Sequence, residues 1–174
     1  MPSNRVVETA YVGPFSDIGS VNSATNYMSG QLGIRVNIQN KGYQFVQLDT
    51  GALTSATNGQ VLYWKDTSNY IVTNNNSFAQ GGSTGARNTI AGVATTTVTA
   101  GYFTFIQQQG PHTAVNADSG SPTGGAFLVG STNTGAATSV AVATAPTVDV
   151  IGHVTTTQSS TTSWPAMLNI EGIP

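Results

Sequence analysis

Apolar and polar positions in this chain alternate over short runs, and nowhere do they hold the 3.6-residue period of an amphipathic helix for ten or more residues. The clearest run covers residues 88–111. There, Ile90 to Val98 and Tyr102 to Gln109 are two β-rich segments joined by Thr99-Ala100-Gly101, where glycine can take the positive φ of a tight turn. This pattern predicts a central hairpin, with the shorter segments on either side pairing to it.

Upstream, Ile34, Val36 and Ile38 alternate with Arg35, Asn37 and Gln39. Asn40-Lys41-Gly42 then turns the chain, and Tyr43, Phe45, Gln47 and Asp49 alternate with Gln44, Val46 and Leu48, which predicts a half-buried hairpin. Gly59-Gln60 opens a strand through Val61 to Trp64, Lys65 to Asn69 turns it, and Tyr70 to Thr73 returns as a second hairpin. Residues 74–87 are Asn, Ser and Gly around Phe78 and read as a long mobile loop. Downstream, His112 to Val115 extends the central strand, and residues 116–125 are turn chemistry. Ala126 to Val129, Ser139 to Ala143, Val148 to Val154 (broken by Gly152) and Ala166 to Ile170 are further short strands. The expected class is all-β, a small antiparallel sandwich or barrel. Residues 1–30 lack a sustained period yet carry Val6, Val7, Tyr11 and Phe15, more apolar surface than a solvated tail needs. They are expected to form an extended N-terminal arm, with residues 31–174 as the β-domain.

Composition narrows the function. The chain has 174 residues, enough for one domain with its own core, and no cysteine, which excludes disulfides, a thiolate nucleophile and Cys-ligated zinc. Charged residues are 7% of the chain, against about 25% in ordinary soluble domains, and Thr, Ser, Asn, Gln and Gly stand in their place. Five Lys and Arg against seven Asp and Glu, a net charge of -2, cannot neutralise many phosphates, so nucleic-acid binding is not expected. No apolar run is long enough to span a bilayer, and the first residues lack the apolar core of a signal peptide, so synthesis in a cytoplasm and no membrane partner are expected. Hydroxyls and amides are cheaper to bury than ions, which favours close packing against other protein.

Candidate chemistry is sparse. His112 and His153 have no second His, Cys or acid at ligand spacing, so no metal site is expected. Ser119, His112 and Asp118 fall in one turn-rich segment without a nucleophile elbow. Asn116 to Gly120 has the look of a calcium loop, but Phe127 stands where the bidentate Glu belongs. The few carboxylates sit mostly in turns or near the ends, which leaves no acid/base pair for a hydrolase, and no enzyme activity or cofactor is expected. Trp64, Trp164, Tyr63, Tyr70, Tyr102 and Phe103 suit either core and interface packing or a sugar platform.

Three segments carry a resemblance: Gly59-Gln60-Val61-Leu62-Tyr63-Trp64, Ile90-Ala91-Gly92-Val93-Ala94-Thr95, and Ala100-Gly101-Tyr102-Phe103-Thr104-Phe105-Ile106 with the following Gln-Gln-Gln-Gly-Pro to Pro111. In this order they resemble the head decoration, or cement, proteins of tailed bacteriophages. Residues 125–131 and 148–154 resemble the later strands of that family, and the likeness covers roughly residues 59–170. The resemblance implies a jelly-roll-like or β-tulip-like domain that assembles as a homotrimer on the outer face of the capsid. Made in the bacterial host cytoplasm, it would sit at threefold or quasi-threefold junctions and clamp neighbouring major capsid subunits. On this reading Val6, Val7, Tyr11 and Phe15 contact capsid or a neighbouring protomer, and Tyr102, Phe103, Phe105 and Ile106 supply core or trimer packing. A glycan- or receptor-binding β-module of a virion fibre or adhesin is the alternative.

Overall fold

Short β-branched and aromatic runs, cut by Gly, Asn and Ser turns, can satisfy their backbone only by strand pairing. The computed structural model describes residues 32–52, 55–78, 90–118, 120–131, 135–146, 149–159 and 162–170. Within them lie β1 (Arg35–Ile38), β2 (Lys41–Leu48), β3 (Val61–Asp66), β4 (Ile71–Thr73) and β5 (Ile90–Ala94). They are followed by β6 (Phe103–Asn116), β7 (Phe127–Gly130), β8 (Ala137–Val140), β9 (Val150–Val154) and β10 (Ser163–Asn169). A 3-10 turn, Asn76–Phe78, begins the segment expected as a loop, and there is no α-helix among the described residues. The arm assigned to residues 1–30 lies outside them.

The all-β expectation resolves to a closed barrel with a second sheet. Strands β2, β4, β3, β5 and β6 form a ring, because β6 pairs with β5 on one side and with β2 on the other. Closure leaves the ring no free edge. One pairing departs from the expected antiparallel pattern: β4 runs parallel to β2, with Gln47 opposite Ile71 and Leu48 opposite Val72. The β3–β4 hairpin slots its returning strand into the gap between β2 and β3, and that strand therefore points the same way as β2.

Strand β6 joins the two parts. Its first half pairs with β2 and β5, and its second half pairs with β10, Asn116 standing opposite Ser163 and Gln109 opposite Asn169. From β10 the second sheet continues through β9 and β7 to β8. The strand thus runs beyond Gln109, through Gly110 and Pro111. Gly110 takes φ +87°, and a Cβ there would stand 2.2 Å from the Asn40 carbonyl oxygen, so only glycine lets the β1–β2 turn approach this joint.

Three apolar clusters hold the parts together. Val46, Leu48, Leu62, Trp64, Val72, Ala91, Ala94, Val98 and Ile106 fill one cluster of the barrel strands. Val61, Tyr63, Ile90 and Val93, neighbours of those residues on β3 and β5, pack instead against Leu128, Ile151, Trp164 and Leu168 of the second sheet. The apolar run Val61 to Trp64 is buried on both faces for this reason. The third cluster stacks Phe45, Phe103 and Phe105, with ring centroids 4.9 Å apart for Phe45 and Phe105, against Leu32, Ile34, Val36 and Tyr43. Strand β2 is therefore largely buried on both faces rather than half-buried.

Several boundaries shift from the sequence reading: β8 covers Ala137–Val140 where Ser139 to Ala143 is expected, and β10 begins at Ser163 rather than Ala166. The first turn is Gln39-Asn40, both at positive φ, a two-residue connection that puts Ile38 opposite Lys41. In the central hairpin, β5 ends at Ala94, and Val98 bridges Ala56 instead of continuing the ladder. The turn at its tip stands: the Tyr102 N–H donates to the Thr99 carbonyl and Gly101 takes φ +84°.

Candidate functional site

The register of the second sheet lines up one residue from each of its five strands. Pro111 of β6 lies opposite Met167 of β10, Met167 opposite His153 of β9, His153 opposite Phe127 of β7, and Phe127 opposite Val140 of β8. Directly opposed residues share a face, and this face points away from the interlayer core. Pro111 and His153 are exposed, Met167 is 37% exposed, and Phe127 and Val140 are half-buried. Val142, just past β8, is 58% exposed. No Lys, Arg, Asp or Glu falls in the row. A strip that is apolar apart from one histidine thus crosses the outer face of the sheet.

Three of the described carboxylates are already committed. The Lys65 ammonium bonds the Asp49 carboxylate at 2.6 Å, and although burial alone would raise Asp49, Lys65 and the Gly51 and Thr50 N–H groups hold it below the usual carboxylate range. Asp66 is lowered by the Asn69 side chain and by the Asn69 and Ser68 N–H groups that it organises into the β3–β4 turn. Asp118 accepts from the Ser131 hydroxyl.

A second feature lies where β6 leaves the barrel. A hollow of about 260 Å³ is lined by Lys41, Tyr43, Asn58, Thr95, Gln107, His112 and Thr113. His112 is 6% exposed; its Nδ1 accepts from the Ala114 N–H at 3.2 Å, and the ring also bonds the Ala94 backbone. Burial first, and the Lys41 charge second, push the imidazole below its ordinary value, against the opposing effect of Ala94. The Gln107 amide donates to the carbonyls of Gln109, Gly110 and Pro111, bracing the same bend.

The residues singled out in the sequence fall as follows. Val6, Val7, Tyr11 and Phe15 lie outside the described residues. Phe103 and Phe105 are buried in the phenylalanine cluster, Ile106 is buried in the barrel cluster, and Tyr102 packs half-buried against that barrel cluster. His112 and Asp118 each have the partners given above, while Ser119 is outside the described residues. Trp64, Trp164 and Tyr63 are buried, with burial pushing the Tyr63 phenol far up, so no exposed indole stands among the described residues to stack on a sugar ring. Among the described residues no group of three or more His, Asp or Glu side chains converges, and no helix is long and apolar enough to cross a membrane. The outer row escaped sequence reasoning because its members come from five separated strands, and only register brings them together.

No protein-family model matches the chain, and no curated protein matches it either.

Proposed function

We propose that the protein is a structural virion component of the head decoration type. It docks on the outer capsid surface, assembles as a homotrimer at threefold or quasi-threefold junctions, and stabilises the head by clamping neighbouring major capsid subunits. The reading starts from the family-like segments quoted above. In the fold they are contiguous: the first three lie on β3, β5 and β6, adjacent barrel strands, and the later two lie on β7 and β9, which pair with each other.

The observation that carries the docking role is the outer row from Pro111 to Val140, which holds His153 but no Lys, Arg, Asp or Glu. A contact surface free of ions fits several quasi-equivalent pockets, since one misplaced buried charge costs several kcal/mol and a misplaced methyl costs far less. Val6, Val7, Tyr11 and Phe15 would add arm contacts to capsid or a neighbouring protomer. Many copies per shell then stabilise the assembled state by mass action.

Binding of purified protein to undecorated heads of the encoding phage tests this. Met167→Asp should weaken binding at least roughly tenfold while the circular dichroism spectrum keeps its β signature. Deleting residues 1–20 should leave a folded domain that no longer decorates. Undiminished binding by both variants overturns the docking assignment, and a protein that sediments as a monomer and sits as isolated copies on the shell overturns the trimer. Saturable binding on a glycan array would favour the receptor-binding alternative instead.

A further inference from the structure

The N-terminal segment meets the barrel where the tip of the β3–β4 hairpin closes on it. Residues 1–31 join the described residues at Leu32, and Gly33 then takes φ +84°, its N–H donating to the Phe45 carbonyl at 2.8 Å. A Cβ at Gly33 would stand 2.3 Å from Cζ of Tyr70, so the Tyr70 ring lies directly on this backbone. Tyr70 is itself at φ +53°, a conformation that a residue with a Cβ adopts only when it is held there. The Asp66 carboxylate organises the turn by accepting from the Ser68 and Asn69 N–H groups and the Asn69 amide, and the Gln47 N–H ties the Tyr70 carbonyl to β2 at 3.1 Å. The ring also meets Trp64 edge-on, with centroids 6.3 Å apart.

Beside this contact lies a hollow of about 460 Å³ lined by Leu32, Gln47, Ser68, Asn69, Tyr70 and Ile71. Leu32, Tyr70 and Ile71 are half-buried and make an apolar wall, Gln47, Ser68 and Asn69 supply amides and a hydroxyl, and no Lys, Arg, Asp or Glu is in the lining. We propose that this hollow seats the N-terminal segment of the same chain, with the Met28 side chain against the Tyr70 ring. The seat rests on residues 1–30 being an arm and deepens that reading. It fixes the point from which residues 1–17, with Val6, Val7, Tyr11 and Phe15, leave the barrel.

Position, charge and side-chain chemistry choose this occupant. Leu32 is both a wall of the hollow and the residue at which the segment joins the barrel. Four residues of extended chain reach about 14 Å at most, so Met28 stays close to the hollow wherever the rest of the segment goes. Residues 18–31 contain no Lys, Arg, Asp or Glu, which matches a lining without ions, and seating them desolvates no charge. Met28 is the last apolar residue before Leu32. Its unbranched thioether fits an irregular gap and makes favourable sulfur–aromatic contacts. Gly33 completes the seat, because a side chain there would drive the Tyr70 ring off the backbone.

Nuclear magnetic resonance of the full-length protein with isotopically labelled methionine methyl groups tests the seat. The chain has three methionines, Met1, Met28 and Met167, and Met28→Leu identifies the Met28 signal by its loss. In wild type the Met28 methyl should be ring-shifted and show nuclear Overhauser contacts to the Tyr70 ring and to Ile71. Tyr70→Phe should keep both, whereas Tyr70→Ala and Gly33→Ala should return the methyl to the shift of free methionine while the circular dichroism spectrum keeps its β signature. When labelled and unlabelled chains are mixed, the contacts should run within one chain. A wild-type Met28 methyl at the free-methionine shift, without contact to Tyr70 or Ile71, overturns the seat. Contacts that run only between chains overturn it too, and assign the hollow to the segment of a neighbouring copy. The measurement uses the free protein, so heads left undecorated by a chain whose Met28 contacts are present overturn the capsid-docking reading alone.

Discussion

Gly110 and Gly101 both sit at positive φ, yet they answer to different constraints. At Gly101 a Cβ would meet the Thr50 Cγ2 at 3.3 Å, a side-chain methyl that can move by a few tenths of an ångström. At Gly110 the obstacle is the Asn40 carbonyl oxygen at 2.2 Å with Lys41 Cα at 3.0 Å behind it, a backbone held in a two-residue hairpin turn. A left-handed conformation alone costs a non-glycine residue about 1–2 kcal/mol. Gly101→Ala should therefore lose about that much in urea unfolding, and Gly110→Ala clearly more, because the turn must also shift. Equal losses would mean that the β1–β2 turn yields freely. The same region carries buried amides whose polarity is matched: the Gln108 amide donates to Gln44 Oε1 at 2.7 Å and to the Ala91 carbonyl at 2.9 Å, which lets two glutamines sit inside a barrel without a stranded polar group.

At the scale of elements, the third cluster decides whether β1 stays on the barrel. β1 is four residues long, mostly exposed, and among the described strands pairs with β2 alone. Its apolar anchors Ile34 and Val36 lie with Leu32 against Phe45, Phe103 and Phe105. Phe105→Ala should cost about 3–5 kcal/mol in unfolding free energy, with β1 losing hydrogen-exchange protection before β3 and β5. Protection lost uniformly would show β1 to be integral to the barrel. Alternation along Ile34 to Leu48 and the Gly101 turn made these strands legible beforehand, since period-2 patterning reports pleat geometry directly. What escaped was long-range. The Asn40-Lys41-Gly42 signal pointed one residue late, because Gln39 accepts the positive φ that its side chain does not advertise. β5 stops at Ala94 because the Val98 N–H finds the Ala56 carbonyl, a partner 42 residues away in sequence. Gly110-Pro111 separates the expected central strand from its extension at His112 to Val115, and in the fold both are one strand, β6, that runs through it.

For the whole molecule, no local pattern announces that β4 inserts parallel to β2 or that the ring closes, because closure is a property of β6 meeting two partners at once. The outer row of the second sheet has the same origin, and its five residues are unremarkable in sequence. The fold divides its apolar residues between an interior barrel cluster and an interlayer cluster that share the walls β3 and β5, so neither can open without exposing part of the other. The two tryptophans report on them separately: Trp64 lies in the barrel cluster, and Trp164, fully buried, lies in the interlayer one. In Trp64→Phe the remaining fluorescence follows the interlayer core, and in Trp164→Phe it follows the barrel. Near neutral pH, each variant's fluorescence and far-ultraviolet circular dichroism should give the same urea midpoint, although the two variants will differ in stability. A fluorescence transition in Trp64→Phe that precedes loss of β signal would mean that the second sheet detaches from an intact barrel. In that case the wall residues Val61, Tyr63, Ile90 and Val93 would not couple the two layers.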